Sequence, residues 1–321
     1  MRYCRLLLAG ALLAGLTLPL AAQEAAPPSP LETVTVIASA RGPAIWHATN
    51  GVGDVAILGI VQPLPDHFVW NTKPLEALLS GARLVLLPPS IGAGVFTGAW
   101  FYLTKSDLLH PPDNKTLWDV LDSRVAADLA KTCEFLHEPK DRYSDNSPIL
   151  AAMRLGSDFR HVEYLTTHEP EDRVHALALG RHVPVRRIAA YDLIPSGEEL
   201  LKLPPSVTGK CIDAAIRDID FQKSHVQAAA QAWAIGDVAG MTANWSRSNI
   251  LNCLAELSPN AAATEARSID DTVAAIGAAI AGGGHSIAIV DIAILIGKGG
   301  VLDRLHAQGI SIVDPAAQPA P

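Results

Sequence analysis

The runs most suited to β-structure lie toward the two ends of this chain. Residues 34–37, 54–61 and 83–87 read as strands on the N-terminal side. Residues 286–290 and 310–313 do so on the C-terminal side, and most of what lies between carries helical signals. A strand needs partners for its backbone groups, so the two ends are expected to share a sheet. The expected fold class is α/β, with α+β as its variant: a mixed central sheet of N- and C-terminal strands around a largely helical middle.

Local punctuation supports that outline. A helix is expected over residues 74–79, closed by Gly81, before a strand over 83–87 that Pro88 and Pro89 stop. Helical segments are expected over 113–130, broken near Asp122 and Ser123, and over 145–155. Pro170, Glu171 and Asp172 open another that ends at Gly180, and a strand over 183–190 follows. Further helices are read at 196–203, 210–220, 223–235, 237–245, 270–280 and 300–308, the last ended by Gly309. Residues 54–87 and 286–313 each give strand, glycine turn, helix and strand, so an internal duplication is an open alternative.

Hydrophobic residues make up 49% of the chain and charged residues 18%, enough apolar surface to offset chain entropy. The formal charge is −8 and no basic stripe is present, which disfavours nucleic acid and anionic membranes as partners. Residues 1–22 have the pattern of a secretory signal: Arg2 and Arg5, an uncharged apolar run over 6–20, then Ala21 and Ala22. That run is shorter than the ~20 residues of a membrane-spanning helix. Residues 281–296 are apolar too, but Gly282, Gly283, Gly284, His285 and Asp291 interrupt them, which suits a buried strand. The expectation is a periplasmic or secreted protein with no integral membrane segment in its mature chain. The expected organisation is an N-terminal segment with a possible first strand over residues 23–41, a single domain over 42–314 and a disordered tail over 315–321.

Outside the leader, which holds Cys4, the cysteines are Cys133, Cys211 and Cys253. Export permits oxidation, and Cys211 and Cys253, each in a helical stretch, are the expected pair. Three isolated core cysteines remain the alternative, because spacing does not fix pairing.

Familiar chemical motifs give little. Gly92, Gly94 and Gly98 resemble a dinucleotide loop, but the β-branched and aromatic residues 95–103 that follow read as a strand rather than the required helix. Gly297, Gly299 and Gly300 precede a helix, where free N–H groups are an anion-binding candidate. His161, His168, His175 and His182 recur every seven residues, yet that is ~10.5 Å along a helix, too far to share one metal. Asp213, Asp218 and Asp220 read as a solvated helix face. No HExxH or GxSxG pattern occurs.

The segment 42–65, with Trp46, Gly59, Gln62, Leu64 and Pro65, resembles the opening of the TraB/GumN family. Trp70, the Pro111 to Leu117 loop, Gln231 to Asp237 and Gly297 to Gly309 follow in the family's order. The resemblance implies the family's metal-dependent hydrolase chemistry, with relatives that include metalloproteases. There, two Gly-x-x-His elements and a glutamate hold a divalent cation with an open position that activates water. In this chain Gly59 is kept but the first histidine is Gln62 and the glutamate position is Leu87. The second element runs from Asp291 to Ile294, so isoleucine replaces its histidine, and an Arg-Asn pair becomes Arg267 and Ser268.

With those donors lost together, no metal or other cofactor is expected. The expectation is a catalytically degenerate protein acting by binding an unknown small molecule or protein. A hydrolase or peptidase-like enzyme with a substituted site using Asp291, Arg267 and Gln62, and a cell-envelope or polysaccharide accessory factor, stay open. Gln62, Leu87 and Ile294 are expected to converge.

Overall fold

The computed structural model describes residues 42–315. The leader, the strand expected over 34–37 and nearly all of the C-terminal tail lie outside the described residues. The first described element is a hairpin of β1 (Ile45–Thr49) and β2 (Gly53–Ile60). Its tight connection is set by Asn50, whose Oδ1 accepts from the N–H of Val52 at 3.0 Å, and by Gly51 at φ +85°. A short β3 (Leu64–Pro65) precedes α1 (Lys73–Leu79), which has Pro74 in its first turn and is followed by Gly81 at φ +91°.

The chain continues through β4 (Val85–Leu87), β5 (Ser90–Gly92), α2 (Val95–Lys105), α3 (Leu117–Val120), α4 (Ser123–Phe135) and α5 (Pro148–Val162). Next come β6 (Leu165–Thr166), α6 (Glu171–Gly180), β7 (Val185–Arg187), β8 (Ala190–Asp192), α7 (Ile194–Leu201) and α8 (Pro205–Thr208). The helices α9 (Lys210–Ala234), α10 (Val238–Asn244), α11 (Asn249–Leu257) and α12 (Pro259–Ala281) lead into β9 (Gly284–Asp291). The chain then forms α13 (Ile292–Leu295), α14 (Val301–Ala307) and β10 (Ser311–Val313).

The fold is mixed α/β. Six strands form a central sheet in the order β10-β1-β2-β9-β4-β7. Strands β2, β9, β4 and β7 run parallel, while β1 is antiparallel to both β2 and β10. The N-terminal and C-terminal strands thus meet directly: β9 lies along all of β2, from Gly53 opposite Gly284 to Ile60 opposite Asp291. The crossover from β2 to β4 spans one strand and that from β9 to β10 spans two, so the two similar sequence units occupy unlike places in the sheet.

Two hydrophobic cores form. One surrounds the sheet and includes Trp46, Ile57, Leu86, Trp233, Ile276 and Ile289. The other is made largely by the helical middle and includes Leu129, Tyr143, Phe159, Ile212 and Ile219. Helix α9 belongs to both: Cys211 to Ile219 feed the helical core, whereas Ala229, Ala230 and Trp233 feed the sheet core. That explains a correction. The expected separate helices 210–220 and 223–235 are one 25-residue helix. Its apolar pattern lapses between the cores because no core lies beside those turns.

Three further expectations change. Residues 95–103 form helix α2 rather than a strand: Gly94 is its N-cap, and the N–H of Gly98 donates to Gly94 O at 2.7 Å. Helical bonds satisfy that backbone without a neighbouring strand. The strand expected over 183–190 is divided between β7 and β8. The parallel ladder of β4 and β7 stops at Pro88 and Pro89, which lack N–H donors, and resumes as β5 with β8. Asp218, read as solvated, is buried at 8% exposure. Its carboxylate accepts from the hydroxyl of Ser248, the N–H groups of Asn249 and Ile250, and the amide of Asn249, all within 3.1 Å. It closes the N-terminus of α11. Two helical turns away along α9, Cys211 is disulfide-bonded to Cys253 of α11, with their Cα atoms 5.6 Å apart. Cys133 is a buried free thiol.

Candidate functional site

In an open parallel sheet, ligand sites form where loops leave the carboxyl ends of the strands. Here those ends belong to β2, β9, β4 and β7. Gly59 lies next to the last residue of β2, and its lack of a side chain has a packing reason. A Cβ there would lie 2.7 Å from Trp46 Cζ3 and 3.0 Å from Leu295 Cδ2. The indole N–H of Trp233 donates to Gly59 O at 2.7 Å. This glycine locks β2 to β1, α13 and α9.

Gln62 follows two residues after β2. Its Nε2 donates to Thr167 O at 2.6 Å, which ties it to the segment after β6. Leu87 ends β4 and is buried in the sheet core. Asp291 ends β9, opposite Ile60 of β2. Its Oδ1 accepts from the N–H of Ala293 at 2.8 Å and so caps α13. Loss of hydration raises the Asp291 carboxyl above the ordinary aspartate range, against the opposing effect of that N–H. Ile294 lies on α13 and packs against the sheet core. Gly59, Gln62, Leu87, Asp291 and Ile294 thus belong to one edge, that of three adjacent strands and the turn after β9. Arg267 makes other contacts: Nη2 donates to Thr264 Oγ1 at 3.1 Å and the guanidinium lies over the ring of Tyr191 in β8, the strand that follows the carboxyl end of β7, 5.4 Å from its centre.

A charged pair at this edge was not singled out in the sequence. Arg187 ends β7, donates to Pro88 O at 2.8 Å through Nη1 and pairs with Glu171 at 2.6 Å through Nη2. Glu171 stood out only as an acidic residue in a helix's first turn, and nothing local marks its partner. In the glycine loop before α14, the N–H of Gly299 donates to Asp303 at 2.9 Å and that of Gly300 to Gly297 O at 3.0 Å. Those two donors are used within the chain, and a helix as short as α14 offers little dipole for an external anion. A groove of about 560 Å³ between α4 and α9 is lined by Arg124, Asp128, Asp213 and Arg217, whose charges pair with one another.

The TraB/PrgY/gumN family model matches residues 44–313, from just before β1 to the last residue of β10. The chain belongs to the TraB/PrgY/gumN family. No curated protein and no solved structure matches it.

The metal site that the resemblance implies can be set against the donors at this edge. Gln62 offers an amide already committed to Thr167, Leu87 and Ile294 offer hydrocarbon, and Asp291 is committed to the α13 N-terminus. Among the described residues no group of three or more His, Cys, Asp or Glu side chains is placed to hold a metal ion. The donor set does not fit a divalent cation, which needs several imidazole, thiolate or carboxylate ligands converging at about 2 Å.

Proposed function

We propose that this TraB/PrgY/gumN protein is a catalytically degenerate member of its family that works by binding a small molecule or protein at the carboxyl edge of its parallel strands. The observation that carries the reading is the chemistry of that edge: hydrocarbon at Leu87 and Ile294 and an engaged amide at Gln62 where the family's metal donors belong. The Arg187–Glu171 pair, both side chains partly exposed, is the charged element for recognition without a metal. Export to an oxidising compartment, periplasmic or extracellular, is part of the proposal. The Cys211–Cys253 disulfide supports it, since such bonds persist there.

The test is metal binding by the purified protein. After dialysis, elemental mass spectrometry should find no stoichiometric zinc, manganese or cobalt, and adding each ion should leave Tm unchanged, because only a ligand bound by the folded form raises it. Equimolar retained metal, or hydrolysis abolished by a chelator and restored by ions, overturns the reading. A thermal-shift panel of peptides and envelope oligosaccharides then searches for the ligand class. The second reading, an enzyme with a substituted site, is favoured by one observation, the raised pKa of Asp291. It requires chelator-resistant turnover that Asp291→Asn removes.

A further inference from the structure

Helix α2 is built inside out. At 100° per residue, Tyr102, Val95, Ala99, Leu103, Phe96 and Trp100 cover an arc of about 160°. Apart from Ala99, these side chains are large, and all six face solvent: Val95 is 84% exposed, Phe96 90%, Trp100 69%, Tyr102 65% and Leu103 78%. The only buried residue of the helix is Phe101, on the opposite side. Its only charge, Lys105, is paired with Glu198 of α7. Ordinary surface helices place the apolar arc inward.

We propose that this face is the interface between two copies of the chain, packed about a twofold axis that sets α2 against its equivalent. At these exposures the five large side chains present on the order of 700 Å² together. That exceeds the roughly 300–600 Å² of the largest patch on a typical monomer and approaches the share, about 800 Å², that one partner brings to a standard interface. The like charge of two copies at formal −8 opposes their association, and α2 adds no unpaired charge to that repulsion, so the case for a second copy rests on the apolar area. A lipid surface is the poorer fit, because residues 90–104 contain no Lys or Arg to engage phosphates. A groove of about 270 Å³ between α2 and α7, lined by Phe96, Trp100, Phe101 and Ile194, receives an apolar side chain from the twofold-related helix.

The test measures molar mass by sedimentation velocity and light scattering on the purified protein at micromolar concentration, with Phe96→Glu/Trp100→Glu and, separately, Leu103→Glu. The wild type is expected at twice the chain mass and both variants at the single-chain mass, with unchanged far-UV circular dichroism, since the substituted side chains are exposed within one chain. A monomeric wild type overturns the proposal, as does a dimer whose mass neither variant changes. Flotation of the wild type with phosphatidylcholine vesicles, lost in the variants, would assign the face to a membrane and overturn it equally. Leu103→Glu keeps the test valid if the double variant fails to fold.

Discussion

At Gly59 the sequence shows only one glycine of a family motif, and the structure shows what it does: any Cβ drives into Trp46 and Leu295. Gly59→Ala is expected to cost about 3 kcal/mol, the upper range for overpacking a core, read as a fall in the urea midpoint. A midpoint unchanged from wild type would refute that packing. Asp158 is a second buried acid, held by Arg142 Nε at 2.8 Å and Nη2 at 2.6 Å and by the Tyr143 hydroxyl at 2.8 Å. Burial pushes its carboxyl up, but the hydrogen bonds from Arg142 and Tyr143 outweigh this and leave it below the ordinary range. A depressed folded pKa gives stability that is present above the unfolded value, about 3.9, and lost as pH falls through the folded value. Asp158→Asn should therefore lower Tm at neutral pH, with a gap to wild type that closes below about pH 4. Asp291 has the opposite sign. Its raised pKa favours the folded state in acid and costs stability as pH rises through the folded value. Asn caps a helix about as well as Asp, so Asp291→Asn should raise Tm at neutral pH and lose that advantage in acid. A lower neutral Tm would show that the charged carboxylate has a partner at this edge.

Element by element, the chain is legible where caps and breakers are strong. Helix α6 follows Pro170 and ends at Gly180, and α1 is followed by Gly81, because these residues act through their own backbone geometry. Helix α2 shows the converse: aromatic and β-branched composition suggested a strand, yet a strand forms only beside another. The fastening of α11 to α9 uses two long-range links, Asp218 at the N-terminus of α11 and the Cys211–Cys253 bond at its middle. Closing a loop of 42 residues is worth about 4 kcal/mol in the chain-entropy account. Reduction should lower Tm and raise hydrogen exchange first in α11, with the β2 and β9 ladder protected. Thiol counting in denaturant without reductant should give one thiol if the leader with Cys4 is removed and two if it is retained. Three or four would refute the bridge. Cys133 reacts slowly in the folded protein, since burial pushes its thiol up to about 11.

Across the whole molecule, two cores share one long helix. The sheet gathers residues from β1 through β10, and the helical core is fixed to it through α9. Sequence alone determined the mixed α/β class and the meeting of the N-terminal and C-terminal strands in one sheet. Those properties are set by residue identity and local periodicity, which every stretch carries in itself. Only the tertiary structure decided that Asp218 is buried, that Arg187 meets Glu171 and that the apolar arc of α2 points outward. Burial, pairing and exposure depend on which distant segments pack against a residue. No window of sequence contains those neighbours.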